Sequence, residues 1–195
     1  SGQYDIFVVD ADSGNLQQLT DDRFDDQQPT WSPDGTQIAW SSARDGQSNN
    51  DIWVMDADGG NVRKVTDESN GVGSQEQYSP AWSPDGTQIL YMEWHRWDDD
   101  YHLWIMNVAD GSIVRKVSDK SQFGGYSDYW ASFSPDGTHI VFDSNRGTGD
   151  DYDIWRTDVY GGNLVKISDE SQWGGNENDA SEYSPDGTQI VFRSE

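Results

Sequence analysis

There is no cysteine among the 195 residues, so the chain has no disulfide framework, no thiolate nucleophile and no sulfur ligand for a metal. It also lacks any run of about 18 apolar residues, and the opening SGQYDIFVVD is not a basic segment followed by an apolar stretch. Neither membrane insertion nor a targeting leader is expected of these residues. Basic side chains are scarce: 12 lysines and arginines face 36 acids, a formal charge of -24. That field repels phosphate backbones and anionic headgroups, which excludes nucleic acid as a natural partner and leaves cations or basic proteins. The acids are spread over the whole chain instead of forming one block, which also suits plain solubility. A length of 195 residues allows one well-buried domain.

What the chain has in abundance is self-similarity. One phrase occurs four times, as WSPDGTQIAW from Trp31, WSPDGTQILY from Trp82, FSPDGTHIVF from Phe133 and YSPDGTQIVF from Tyr183, with its prolines at 33, 84, 135 and 185. A second phrase alternates with it: DIFVVDADSGNLQQLT, DIWVMDADGGNVRKVT, HLWIMNVADGSIVRKVS and DIWRTDVYGGNLVKIS. Pro-Asp-Gly is tight-turn chemistry: proline presets φ, aspartate bonds nearby backbone donors, and glycine accepts positive φ. The aromatic before the turn ends a strand A. The apolar run after it begins a strand B buried on both faces. Ile52-Trp53-Val54-Met55 forms strand C, residues 56 to 61 turn the chain, and Val62 to Thr66 return as an outer strand D. Arg63, Lys64, Arg115 and Lys116 discourage pairing at that outer edge.

No helical pattern occurs in any repeat, so the fold class expected is all-β: a four-bladed β-propeller of four-stranded antiparallel blades, sixteen strands in all. The single domain spans 1–195, divided into a half blade 1–28, blades 29–79, 80–129 and 130–180, and a closing half blade 181–195. The halves are complementary. Residues 181 to 193, strands A and B, are expected to pair with strands C and D at residues 4 to 20, closing the ring and leaving no orphan edge.

The phrases WSPDGTQIAW and DIWVMDADGGNVRKVT resemble the TolB-type repeat of the WD-repeat-like propeller superfamily, and the resemblance covers nearly the whole chain. It implies a propeller and a periplasmic or secreted setting. Because such repeats serve in protein-docking TolB, in propeller domains of serine peptidases and in a few polysaccharide lyases, it implies no single activity. Four blades is fewer than the six to eight usual in the family. A monomer is the simplest state, and an eight-bladed homodimer is the alternative.

Function then falls to the dissimilar loops that join strand D to A and strand B to C, which share one face of such a fold. Trp94, Trp97, Phe123, Tyr126, Tyr129, Trp130 and Trp173 lie outside the repeated strand positions that packing requires to be bulky. Aromatics beside carboxylates suit stacking on a carbohydrate or anchoring a basic peptide; they also suit bracing a long loop. No motif requires a cofactor. Calcium is the metal whose demand for oxygen ligands this composition meets, and Asp98, Asp99, Asp100, Asp150 and Asp151 are the loop acids for it. The Asp10-Ala-Asp12 and Asp56-Ala-Asp58 segments share the start of a calcium loop but lack its twelfth-position glutamate. They lie where the repeat needs a hairpin, so turn chemistry accounts for them.

Catalysis finds little footing. His139 takes a strand position filled by glutamine elsewhere, His102 stands where other repeats carry Asp5, Asp51 and Asp153, and only His95 is loop-borne. There is no Gly-x-Ser-x-Gly elbow and no clustered histidine set of the kind the lyases would require. The expected function is a non-enzymatic binding or scaffolding module that engages a protein or glycan through the long-loop face. A calcium-dependent structural or adhesive module and a polysaccharide-active enzyme are the alternatives.

Overall fold

The Ser-Pro-Asp-Gly-Thr phrase folds identically in all four repeats of the computed structural model, which describes residues 3–46, 49–66, 75–95, 99–118, 127–146, 151–168 and 178–194. In the first, Asp34 Oδ1 accepts from Ser32 Oγ at 2.7 Å, Thr36 N at 3.0 Å and Thr36 Oγ1 at 2.9 Å. Gly35, at φ +69°, closes the turn by donating to the Ser32 carbonyl at 2.9 Å. Asp85, Asp136 and Asp186 repeat these bonds. The serine bond, with the threonine backbone bond behind it, holds each carboxyl below its usual range, Asp136 and Asp186 at about 2.

A depressed folded-state pKa stabilises the fold above the unfolded value of 3.8, and that contribution is lost as pH falls toward 2. An Asp136→Asn variant is therefore expected to melt below the parent protein at pH 6 and to converge on it near pH 2. A melting difference independent of pH would show that the charge of the turn aspartate is irrelevant.

Among the described residues all regular elements are strands. They are β1 (Phe7–Val9), β2 (Leu16–Gln18), β3 (Asp26–Trp31), β4 (Gln37–Ser42), β5 (Asp51–Asp56), β6 (Arg63–Lys64), β7 (Glu76–Trp82), β8 (Gln88–His95), β9 (Asp100–Asn107), β10 (Ile113–Lys116), β11 (Asp128–Phe133), β12 (His139–Ser144), β13 (Asp153–Asp158), β14 (Val165–Lys166), β15 (Asn178–Tyr183) and β16 (Ile190–Ser194). Three antiparallel sheets are complete, in the orders β3-β4-β5-β6, β7-β8-β9-β10 and β11-β12-β13-β14. The strand register between B and C is the same in each: Gln37 faces Asp56, Gln88 faces Asn107, and His139 faces Asp158.

The expected clasp is not formed. β1 with β2, and β15 with β16, are two separate two-stranded sheets, so the sheets do not close into a four-membered ring. Closure of four would need a quarter turn between neighbours. The turn is set by side chains packed between sheets, a tertiary quantity that half-blade complementarity does not reveal. The A strands also start upstream of the SPDG phrases, at Asp26, Glu76, Asp128 and Asn178.

Packing between sheets supplies the core. Ala39, Ile52 and Val54 of the first complete sheet meet Ile89, Tyr91 and Met106 of the second. Leu90, Leu103 and Ile105 on the other face of the second sheet meet Ile140 and Phe142 of the third. Ile6 of the N-terminal pair meets Ile38, Trp40 and Met55. Strands B and C are thus apolar on both faces because each face has a neighbouring sheet. Strands β3, β7, β11 and β15 approach one another along the row of sheets and form its inner rim. At the outer rim the basic residues do more than blunt an edge: Arg63 Nη1 donates to the Val108 carbonyl at 2.8 Å and Arg115 Nη1 to the Val159 carbonyl at 3.1 Å. β6 and β10 thereby hook the C-to-D turn of the next sheet.

Candidate functional site

The repeat places Tyr78 and Tyr129 at one position of strand A, and Tyr101 and Tyr152 at one position just before strand C residues His102 and Asp153. Folding brings all four together at the loop end of the second and third complete sheets. Ring centroids lie 6.3 Å apart for Tyr78 and Tyr101, 4.8 Å for Tyr101 and Tyr129, and 5.5 Å for Tyr129 and Tyr152, in tilted and edge geometries that aromatic quadrupoles favour. Burial, reinforced by donation from the Tyr78 hydroxyl to the Glu76 carboxylate, raises the Tyr78 phenol above its ordinary range. Burial also raises Tyr101. Both hydroxyls remain protonated donors at neutral pH.

Two tryptophans flank this row. Trp94 stands opposite Glu76 and Tyr101 in the sheet register, is half-buried, and donates Nε1–H to Asp99 Oδ1 at 3.3 Å. Trp130 is 48% exposed and has φ +48°. Its position is a bulge in strand A, where pairing shifts between Tyr129 and Ser132. Gln28 and Ser79 hold the same place in the other complete sheets, also at positive φ. Gln28 uses the place structurally, its Oε1 accepting from Ser79 N at 2.9 Å and Ser41 Oγ at 3.2 Å. A bulky residue in the left-handed region is strained, and here the strain leaves an indole on the surface of the inner rim.

Beneath the tyrosines the second sheet departs from its neighbours. In the first and third, a buried aspartate of strand C accepts from a strand D hydroxyl: Thr66 Oγ1 to Asp51 Oδ1 at 3.0 Å and Ser168 Oγ to Asp153 Oδ1 at 2.8 Å. Lys64 and Lys166 neutralise these acids, each at 2.7 Å. Burial pushes the Asp51 carboxyl up to about 6 against the opposing pull of Lys64. In the second sheet the acid moves to strand B as Glu93, directly opposite the buried His102. His95 Nε2 lies 2.8 Å from Glu93 Oε1, Gln77 Nε2 donates to Glu93 Oε2 at 3.3 Å, and the His95 and His102 rings meet edge-on at 4.7 Å. Lys116, the counterpart of Lys64, instead lies over the Trp104 ring at 5.5 Å.

Of the residues singled out in the sequence, Trp94, Tyr129 and Trp130 come to the same end of the molecule. Tyr129 is half-buried and packs against the core between the second and third sheets, so it braces as well as displays. Trp97, Asp98, Phe123, Tyr126, Asp150 and Trp173 lie outside the described residues. Among the described residues no three histidine, aspartate or glutamate side chains converge as a metal site, Asp99, Asp100 and Asp151 included. The sequence reading missed Tyr78, Tyr101 and Tyr152. Their signal was available: aligning the repeats puts tyrosine at 4, 101 and 152, just before Asp5, His102 and Asp153, and in strand A at 78 and 129.

Four-stranded antiparallel sheets stacked face to face in this manner define a β-propeller repeat protein. The chain matches the TolB beta propeller domain over residues 1–96 and 68–195, and it belongs to that family. It is 36% identical over 146 residues to a TolB homolog protein of Chlorobium luteolum, an alignment covering 75% of this chain and 30% of that one. Together with a TolB homolog of Chlorobaculum tepidum, matched over 25% of its length, this means the chain spans about a quarter to a third of the curated relatives it matches. It superposes on the putative TolB of Agrobacterium tumefaciens with a TM-score of 0.79 at 21% identity, covering 100% of this chain and 64% of that one. An oligogalacturonate lyase in complex with manganese superposes with a TM-score of 0.64 at 18% identity over 94% of this chain and 49% of that one. At these identities the structural likeness is one of fold.

Proposed function

We propose that the protein is a non-enzymatic binding module that offers the loop end of its second and third complete sheets to a protein partner carrying a basic, aromatic-accepting segment. The observation that carries this reading is Trp130, a strained and exposed indole, set beside a continuous row of tyrosines. Large rigid aromatics provide contact area at low entropic cost and dominate the energetics of protein interfaces. The charge of -24 and the carboxylates of Glu76 and Asp99 at this end favour a cationic partner and speed its approach. Membership of the TolB domain family, in which docking of proteins is one known use, is consistent with such a role, and a periplasmic or secreted setting goes with it.

The test is an array of lysine- and arginine-rich peptides together with neutral and uronic oligosaccharides, read with the parent protein and with Trp130→Gly. Glycine relieves the positive φ, so the fold is preserved while the indole is removed. Selective, salt-sensitive retention of basic peptides, weakened roughly tenfold or more in the variant, is the expected result. Retention of glycans instead, or binding indifferent to the substitution, would reject the assignment. Turnover of oligogalacturonate with added manganese would move the reading to a polysaccharide-active enzyme. A chelator-sensitive melt would move it to a calcium-dependent structural module.

A further inference from the structure

We infer that the second complete sheet carries a proton-operated switch, in which His95 and His102 share Glu93 and the charge they take up resets Trp94 at the aromatic end. The repeats show what has been exchanged. Arg44 and Arg146 stand two residues beyond Ser42 and Ser144, and His95 stands two residues beyond Glu93, so the three share one repeat position. Each lies on the strand C tryptophan of its own sheet. The Arg44 guanidinium is 5.5 Å from the Trp53 ring, that of Arg146 is 5.6 Å from Trp155, and the His95 ring stacks on Trp104 at 6.2 Å. Each also meets a carboxylate: Arg44 that of Asp22, Arg146 that of Asp128 at 2.5 Å, and His95 that of Glu93 at 2.8 Å. A guanidinium keeps its charge at every ordinary pH, whereas histidine is the side chain that gains or loses one near neutrality. The first and third sheets are ion-paired permanently, the second only when protonated.

The exchange continues inward. The buried strand C acid, Asp51 or Asp153, becomes His102, and the buried strand A acid, Asp26 or Asp128, becomes Gln77. Glu93 is left as the one carboxylate between two imidazoles whose rings meet edge-on at 4.7 Å. A first proton makes His95 a cation against Glu93, the pairing that Arg146 and Asp128 hold in the third sheet. A second places like charges ring to ring in a buried setting, so the two sites titrate as a coupled pair. Gln77 Oε1, buried with no partner, is an acceptor in reserve. The charged groups around the pair are Glu76 on β7, Asp99 and Asp100 where β9 begins, and Lys116 on β10, with the protonated phenols of Tyr78 and Tyr101 beside them. In the flanking sheets Lys64 meets Asp45 and Asp51, Asp26 accepts from Trp40, Asp128 meets Arg146, and Asp143 accepts from Ser181. Of these Asp51, raised to about 6 by burial, also titrates and needs its own control.

Trp94 lies between Glu93 and His95 on β8 and stands opposite Tyr101, the neighbour of His102. A change in how His95 is held therefore reaches the indole through one residue of strand. The consequence for binding rests on the docking role proposed above: positive charge gained beneath that surface weakens its attraction for a basic segment. The switch itself does not depend on that role.

With 3 histidines in the chain, imidazole nitrogen resonances can be followed one by one between about pH 8 and about pH 5, with a chelator present throughout so that no cation contributes. His95 and His102 are expected to titrate in two linked steps, and His139, at the A-to-B turn of the third sheet, in one. The Trp94 indole resonance, assigned with Trp94→Phe, should move with the first linked step. His95→Arg restores the guanidinium of the neighbouring sheets and should hold that resonance still, while Asp51→Asn should leave its movement unchanged. Retention of a lysine-rich peptide should fall up to about fivefold across the same range in the parent chain and stay level in His95→Arg. Independent one-step titration of His95 and His102, or a Trp94 resonance that moves equally in His95→Arg, would overturn the inference. A peptide that binds at no pH, with the resonances behaving as expected, rejects the docking role and leaves the switch standing.

Discussion

Replacing Trp40 by alanine is expected to remove about 3–5 kcal/mol of folding stability, the range for deleting a large buried aromatic. Trp40 is fully buried, in the cluster that joins the N-terminal strand pair to the first complete sheet through Ile6, Ile38 and Met55. Its Nε1–H donates to Asp26 Oδ1 at 2.8 Å, and the Arg44 guanidinium lies over the ring at 5.2 Å. Truncation opens a cavity and also strips the donor from a carboxylate that is itself buried and whose Oδ2 already lacks a partner. The second effect adds to the first because an unsatisfied buried acceptor bears its full desolvation penalty. Urea unfolding followed by far-ultraviolet circular dichroism measures the loss, with Trp31→Ala as the control. Trp31 ends strand A of the same sheet but is 48% exposed, and its removal should cost less than about 1 kcal/mol. Equal losses at the two sites would mean that the first inter-sheet core is not where stability resides.

The second large effect is expected at Gly111, where alanine should destabilise the protein by several kcal/mol, well beyond the ~1 kcal/mol usual for a left-handed glycine. Gly111 sits in the C-to-D turn of the second sheet at φ +70°, and a Cβ built there would lie 2.1 Å from the Val65 carbonyl oxygen of the first sheet. Gly161 is in the same situation, 2.3 Å from the Val117 carbonyl oxygen. The obstacle in both cases is backbone, so no rotamer change relieves it; neighbouring sheets would have to separate. Gly14→Ala isolates the conformational part, since φ there is +66° with nothing within 4 Å of the added carbon. Thermal melts of the three variants should rank Gly14→Ala far above Gly111→Ala and Gly161→Ala. If all three melted together, the close approach of the turns would play no part in spacing the sheets.

These two sites show why parts of the fold were legible in the sequence and others were not. The SPDG turns and the apolar B and C strands were readable because each is decided within a dozen residues by φ preferences, local side-chain bonds and two-faced burial. Arg63 and Arg115 were read only as edge protection, because the carbonyls they reach belong to the next repeat, 44 or 45 positions away. The aromatic site was half legible. Trp94, Tyr129 and Trp130 stood out as bulk beyond the repeat pattern. Tyr78, Tyr101 and Tyr152 were hidden because each looked like part of its own repeat, and only contact between sheets joins them into a row. His102 in the aspartate position was visible as an exchange. Its compensation, the acid transferred to Glu93 on the facing strand, became visible only with the register.

The amino-acid sequence by itself determined the sheet as a unit: four strand types, their order and the turn between A and B. Those follow from short-range interactions repeated four times. The tertiary structure decided how the units meet, leaving the terminal halves as separate edges instead of one closing sheet, and it decided which aromatics share a surface. The angle between sheets depends on the sizes of side chains and the proximity of backbones drawn from different repeats, such as Trp40 against Ile6 and Gly111 against Val65. No local pattern encodes a distance between residues so far apart in the chain.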